Sequence, residues 1–266
     1  MEAIGIIGGS GLYRLFPSSK SLSLTTEYGD PSAPLQVNEI SGNTVYFLAR
    51  HGVNHEIPPH RVNYRANIQA LYSVGVRTMI ATHALGALNP NMKPGDFIIS
   101  DQFVNKTWGR EDTFFNGPQT AHISMSDPFC SSTGDLLKSS LEEMNLSAYK
   151  SGTMLIIQGP RFSTKAENRI HYDQGCDVIS MTCYPEVSLA REKGICYASL
   201  GLVTDLACVL NSPLHPEEPA SHLEVVNQVQ EAMANLQIVI HAAVANMQQI
   251  NHSNCSCRTA LEGAIY

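Results

Sequence analysis

Four points along the chain place groups able to hold an oxyanion directly after a run of apolar or β-branched residues. Ala3–Ile7 is a five-residue apolar run that stops at Gly8-Gly9-Ser10-Gly11. Glycines there let backbone N–H groups approach an anion and Ser10 adds a hydroxyl, although the same residues also read as a plain tight turn. Thr44–Ala49 is a β-branched and aromatic run followed by Arg50-His51-Gly52. A guanidinium at that point clamps two phosphate oxygens at once, which an ammonium does not; the competing reading is a surface ion pair. The run "RTMIATH" leads into His83-Ala84-Leu85-Gly86, small residues that expose backbone donors, and "DVISM" ends at Met181-Thr182, where Thr182 offers another hydroxyl. A fifth run, "LGLVT", reaches Asp205 after five uncharged residues; a carboxylate there is either a helix N-cap or a functional acid. None of these stretches has the glycine fingerprint of a dinucleotide site or the phosphate loop of a nucleotide hydrolase. If Ser10, Arg50, His51, His83, Ala84 and Thr182 converge, they describe a site for free inorganic phosphate.

Convergence requires a particular fold. Short β-rich runs alternate with amphipathic stretches. "VNYRANIQALYSVG" carries Val62, Ala66, Ile68 and Leu71 at helical spacing with Gly75 as its C-cap. "GPRFSTKAENRIHYDQG" and "EVSLAREKG" read as further helices. Leu223–Ile250 carries Val226, Leu236, Ile240, Ala243 and Met247 as a core-facing stripe. No repeat or low-complexity linker interrupts residues 1–266, which read as one domain with a peripheral tail beyond about 250. The alternation predicts an α/β architecture, a central mixed, mostly parallel sheet flanked by helices. Such sheets bind ligands just beyond the carboxyl ends of their strands.

Composition narrows the function. The 266 residues hold 17 Lys+Arg and 24 Asp+Glu, a net charge of −7, with 43% hydrophobic residues and only 15% charged. That is ample for a sizeable core and excludes a disordered chain or a disulfide-stapled miniprotein. An acidic balance argues against nucleic acid or an anionic membrane as the main partner, so any bound anion must be held by local donors. "MEAIGIIGGSGLY" lacks a basic segment and a long apolar segment, and the uncharged stretch Ala232–Cys257 is broken by polar side chains. The expectation is therefore a soluble, cytoplasmic protein. Of seven cysteines, Cys176, Cys183, Cys196 and Cys208 lie in apolar runs and read as buried thiols. Cys255 and Cys257 form a C-x-C in the tail. No second Cys/His pair has metal-ligand spacing, so no zinc site is expected, and a disulfide or redox role for the pair stays open.

Longer motifs carry a resemblance. "IGIIGGSGLY", "ARHGVNHEIPPHRVNYRANIQAL", "MKPGDFIISDQF", "GTMLIIQGPRFSTKAE", "VISMTCYPEVSLAREKGICYAS" and "VTDLA" resemble, in order over roughly residues 3–210, the trimeric purine nucleoside phosphorylases and within them the methylthioadenosine phosphorylase branch. The resemblance implies phosphorolysis of a purine nucleoside by a homotrimer or a dimer of trimers, with phosphate as co-substrate and no other cofactor or metal. It implies that Phe162 stacks beside the purine, that Met181 lies against the sugar, and that Asp205 donates or shares a proton at purine N7. Ser163 and Asp205 match the pattern of enzymes for 6-aminopurines. Two positions depart from the branch. Ala207 replaces a second acid, and His222 stands where enzymes for ordinary nucleosides place a histidine on the 5′-hydroxyl. His122, in the loop before Asp127-Pro128-Phe129-Cys130, is the candidate with which a neighbouring subunit closes the 5′ pocket. His83 sits where relatives carry Thr or Asn. 5′-Methylthioadenosine is the expected substrate. A broader phosphorylase acting on adenosine, inosine or methylthioinosine is the alternative, and a non-catalytic nucleoside-binding protein is the remote one.

Overall fold

The structure, a computed structural model, describes residues 2–9, 20–207, 221–250, 252 and 255–266. Strand β1 (Ala3–Gly8) is buried along its whole length because it is parallel to a neighbour on each side, the environment its unbroken apolar run anticipates. One neighbour is β4 (Asn43–Ala49), which forms a hairpin with β3 (Leu35–Ile40) through Ser41 and Gly42. Both of those turn residues have positive φ, 51° and 77°, the backbone a two-residue hairpin of this hand requires. β2 (Lys20–Leu22) pairs with β3 at the edge.

The hub is β5 (Val76–Ala87). Its first half runs parallel to β1, and its last residues pair antiparallel with β10 (Val178–Ser180). Almost all of it is also parallel to β11 (Cys196–Leu206). From β10 the sheet continues through β9 (Thr153–Ile157) to β7 (Gln102–Lys106), and from β11 through β6 (Phe97–Ile98) to β8 (Ala148–Tyr149). The result is a single-domain α/β fold with a mixed, mostly parallel sheet, as the alternation predicts. Helix α1 (Tyr64–Ser73) packs on α4 (Cys183–Glu192), and α2 (Ser131–Glu143) on α5 (His222–Asn246); α4, α2 and α5 all contact β11. Among the described residues no helix is long and apolar enough to cross a membrane.

Several expectations need correction. β5 continues past His83 to Ala87, and β11 includes Asp205, so both residues sit within strands rather than just after them. α3 covers only Lys165–Asp173: Thr164 accepts from the Glu167 amide and Glu167 reaches back to the Thr164 amide, a reciprocal cap that leaves Gly159–Ser163 as a loop. The buried stripe of α5 begins at Val225 and Val229, with Val226 only half-buried. α2 has no counterpart in the sequence reading. The tail is not peripheral, since Cys257 and Ala264 are buried and residues 264–266 hydrogen-bond the backbone of Thr120 and His122.

Candidate active site

The carboxyl ends of β1, β4, β9, β10 and β11 and the later part of β5 open on one cavity of about 550 Å³, the size of a small-molecule site. Arg50, His51, His83, Ala84, Phe162, Ser163, Met181, Thr182, Asp205, Ala207 and His222 all line it. Ser10 lies outside the described residues, although its neighbour Gly9 lines the wall. His122 is not part of the wall; it sits in the loop that pairs with the tail.

Arg50 is 1% exposed, and its side chain is already engaged. Nε and Nη2 bind the two oxygens of Glu186 at 2.7 and 2.8 Å, and Nη1 donates to the Thr82 carbonyl at 3.0 Å. The ion pair is thus real but buried rather than on the surface, and the guanidinium fork faces Glu186 instead of a ligand. Two of its N–H bonds remain, one on each terminal nitrogen. Burial disfavours the charge, and the Glu186 carboxylate more than offsets it, so Arg50 stays cationic. A fixed positive charge held this way suits an anion that must be gripped without being neutralised.

Glu186, on α4, was not singled out in the sequence, and neither was Tyr197, which donates its hydroxyl to Glu186 Oε1 at 2.8 Å. Burial raises Tyr197 well above the phenol range, so it keeps that proton. Its oxygen then accepts from His83 Nε2 at 3.3 Å, which leaves His83 Nδ1 to accept from the Thr182 hydroxyl, also at 3.3 Å. Burial, and next the Arg50 charge, hold His83 neutral. His51 is fixed in the opposite tautomer. Its Nδ1 donates to the Ile57 carbonyl at 2.8 Å, so Nε2 carries the lone pair, and burial followed by Arg50 lowers its pKa to about 3. With those protons spent on Ile57 and His83, His51 Nε2 and the Thr182 oxygen are left with lone pairs only.

The purine-side residues come from three segments. Asp205 lies beside a break in the β5–β11 register between Val203 and Asp205. Such an irregularity re-aims side chains, and both Thr204 and Asp205 face the cavity. Thr204 donates to Asp205 Oδ2 at 2.9 Å, but burial dominates and raises the carboxyl above its usual pKa. Gly86 allows this packing: a Cβ there would stand 2.8 Å from Ala207 Cβ and 3.0 Å from Asp205 Oδ1. The Gly159–Ser163 loop presents Phe162, 43% exposed, and Ser163. Gly159 has φ 64°, and a Cβ on it would meet Met181 Sδ at 2.6 Å. Arg110 ties this region together, donating to the carbonyls of Gln158, Met181 and Tyr184. Asn168, buried on α3, lines the cavity and donates to the Ala207 carbonyl, while its Oδ1 has no partner. No sequence spacing signals Arg110 or Asn168; only folding brings them to the site.

At the other end, His222 at the start of α5 stands near His55, ring centroids 5.4 Å apart, and His55 stands 4.6 Å from His51. His55, with φ 59°, was also missed by the sequence reading. A further correction concerns the cysteines. Cys130, Cys196, Cys255 and Cys257 are all free thiols whose sulfurs lie within 4.8 Å of one another. Local spacing in the sequence does not show this cluster, because its members come from distant segments.

A phosphate-sized wall around a fixed cation, a buried acid beside an aromatic loop, and a mixed sheet that delivers both define the class of the nucleoside phosphorylases. The profile of the Phosphorylase superfamily matches residues 3–245, and the chain belongs to that family. It is 44% identical over 262 residues to S-methyl-5′-thioadenosine phosphorylase of Pyrococcus furiosus, covering 98% of each chain. It is 42% identical over 267 residues to the enzyme of that name from Saccharolobus solfataricus, covering 99% of this chain and 97% of that one. Its fold superposes on methylthioadenosine phosphorylase from Schistosoma mansoni in complex with adenine, with TM-score 0.92, 33% identity and 99% of both chains covered. A mutant of the adenosine/methylthioadenosine phosphorylase from Schistosoma mansoni, in complex with methylthioadenosine, gives TM-score 0.89 at 33% identity, covering 99% of this chain and 96% of that one.

Proposed function

We propose that this protein is a purine nucleoside phosphorylase-type pentosyltransferase that cleaves 5′-methylthioadenosine with inorganic phosphate to adenine and 5-methylthioribose 1-phosphate. The observation that carries the reading is one cavity holding both a permanently charged Arg50 and an Asp205 carboxyl with a raised pKa. A phosphate oxygen attacks C1′ from the face opposite the base and the C1′–N9 bond breaks. The bonding pair leaves on the purine, and Asp205 supplies a proton to N7. The sugar passes through an oxocarbenium-like state, which the phosphate beneath it stabilises as counter-charge. The protein contributes positioning and fixed electrostatics. No cofactor beyond the co-substrate phosphate is required for these steps. Phe162 covers the base, Met181 lies against the ribose, and Ser163 faces the purine edge.

His222 and His55 favour a second substrate, adenosine. Histidines at the 5′ end offer hydrogen bonds to a hydroxyl that a methylthio group does not use. The working unit is a homotrimer or a dimer of trimers in the cytoplasm, in which His122 reaches the 5′ pocket of a neighbouring chain. Two facts support this role for His122: it lies outside its own cavity wall, and its backbone is braced by the tail.

The test compares phosphate-dependent base release from methylthioadenosine, adenosine, methylthioinosine and inosine by kcat/KM. Adenine released fastest from methylthioadenosine is the expected result. Hypoxanthine released fastest overturns the purine assignment, and tight binding with no release from any of the four refutes the enzyme.

A further inference from the structure

The four-cysteine cluster lies outside the active-site wall. Cys130 is the N-cap of α2, Cys196 opens β11, and Cys255 and Cys257 come from the tail. Three of the sulfurs belong to buried residues and the fourth to a half-buried one. Cys130 and Cys255 Sγ stand 3.7 Å apart, and every pair lies within 4.8 Å. Four thiolates around a tetrahedral zinc, with bonds of about 2.3 Å, have sulfurs roughly 3.8 Å apart. Hydrogen-bond donors point at two of the sulfurs. Thr133 donates to Cys130 Sγ at 3.3 Å, and Arg191, itself buried, donates to Cys257 Sγ at 3.7 Å. Arg258, held by two bonds to Glu2, follows Cys257 directly in the chain. A zinc with four thiolates keeps two negative charges, and the Arg191 guanidinium on Cys257 offsets one of them.

We propose that Cys130, Cys196, Cys255 and Cys257 form a structural zinc site. The ion bonds to four sulfurs as their protons leave to solvent, with no change of oxidation state. Its role is to fasten the tail. From the cluster the chain runs to Ala264 and Tyr266, whose backbones pair with His122 and Thr120, while Arg191 also holds the Ser124 carbonyl through Nε. The site thereby braces the loop that carries His122.

The protein would be purified under reductant, without immobilised metal, passed over a chelating resin, and its zinc measured by elemental mass spectrometry alongside thiol titration of the native chain. The expected result is one zinc per chain and four cysteines protected from a thiol reagent until a mercurial releases the metal. Cobalt substitution should give the intense visible bands of a tetrahedral tetrathiolate. Thr133→Val, which keeps all four ligands, should weaken zinc by about 10-fold, and Cys255→Ser should weaken it further. Zinc-free protein with four reactive thiols overturns the proposal, as does peptide mapping that finds the four joined as two disulfides.

Discussion

Replacing Asp205 by Asn tests the assignment of the acid. Thr204 donates its hydroxyl to Asp205 Oδ2 at 2.9 Å. The longer alternative for that hydroxyl is the Leu85 carbonyl at 3.3 Å, so an asparagine that keeps the shorter bond turns its carbonyl toward Thr204 and puts its NH₂ in the position of Oδ1. That group still hydrogen-bonds N7 but cannot release a proton to it. Positioned proton transfer contributes roughly 10²–10⁴-fold, or about 3–5 kcal/mol of barrier at 1.36 kcal/mol per decade. The kcat for methylthioadenosine should therefore fall by at least about 100-fold while the KM for phosphate barely moves. The NH₂ also meets the O6 lone pairs of a 6-oxopurine favourably, so methylthioinosine should lose much less. Because burial raises the Asp205 pKa, the proton-bearing form dominates on the acid side and is lost as pH rises. Wild-type kcat/KM should thus show an alkaline limb that the variant lacks. Absorbance assays of adenine and hypoxanthine release over a pH series read all of these quantities. Equal losses on both purines, or an alkaline limb that survives the substitution, would refute the role given to Asp205.

Three further outcomes follow from the same geometry. Tyr197→Phe removes the hydroxyl that joins Glu186 to His83 and strands a buried His83 Nε2–H, so it should destabilise the fold by about 1–3 kcal/mol; it should also raise the KM for phosphate more than that for nucleoside, checked by urea unfolding and initial rates. His51 and His83 are held neutral when folded, so the unfolded chain takes up more protons below its histidine pKa of about 6.5. Stability should be full above that pH and fall by up to about 1.4 kcal/mol per unit for each histidine as pH drops towards about 3, the folded value for His51; a flat denaturation midpoint between pH 7 and 5 contradicts this. Gly86→Ala inserts a methyl within 3.0 Å of Asp205 Oδ1 and 2.9 Å of Ile179 Cγ2, and should cost about 1–3 kcal/mol and lower kcat by displacing the carboxyl, read by thermal melts and turnover.

The parts of the site legible in the sequence are those where a local run dictates the outcome. Ala3–Ile7 and Thr44–Ala49 are strands because nothing polar interrupts them, and Arg50 and His51 follow directly. Even there the sequence conveys position and not partnership: whether Arg50 faces a ligand or Glu186 depends on α4, which lies 136 residues later in the chain. Asp205 does stand at the end of its strand, but His83 reads as a strand end only because the small residues after it usually stop a strand. In the fold, β5 and β11 sustain each other through ten register pairs, and pairing outweighs local preference. Asn168, Arg110 and Tyr197 left no signal, because an asparagine on a helix or an arginine in a loop is ordinarily solvated. The tetracysteine cluster gives no local signature for a related reason, since its thiols converge from three separate segments.

The chain Arg50–Glu186–Tyr197–His83–Thr182 has a direction, and that direction constrains the anion. Arg50 donates to Glu186, and so does Tyr197. The Tyr197 oxygen can then only accept, which forces the His83 proton onto Nε2 and turns the Thr182 hydroxyl towards Nδ1. His51, donating through Nδ1 to Ile57, likewise offers a lone pair from Nε2. At the phosphate site proposed above, an incoming phosphate would meet donors from Arg50 and acceptors from His51 and Thr182. A protonated phosphate oxygen would satisfy one of the two acceptors, and the bare oxygens the guanidinium. The arrangement sorts the phosphate oxygens, leaving the proton on the side of His51 or Thr182 and an unprotonated oxygen free to attack C1′. A buried glutamate that touches no substrate would thus select which phosphate oxygen reacts, by fixing the direction of the hydrogen bonds that run from Tyr197 to Thr182.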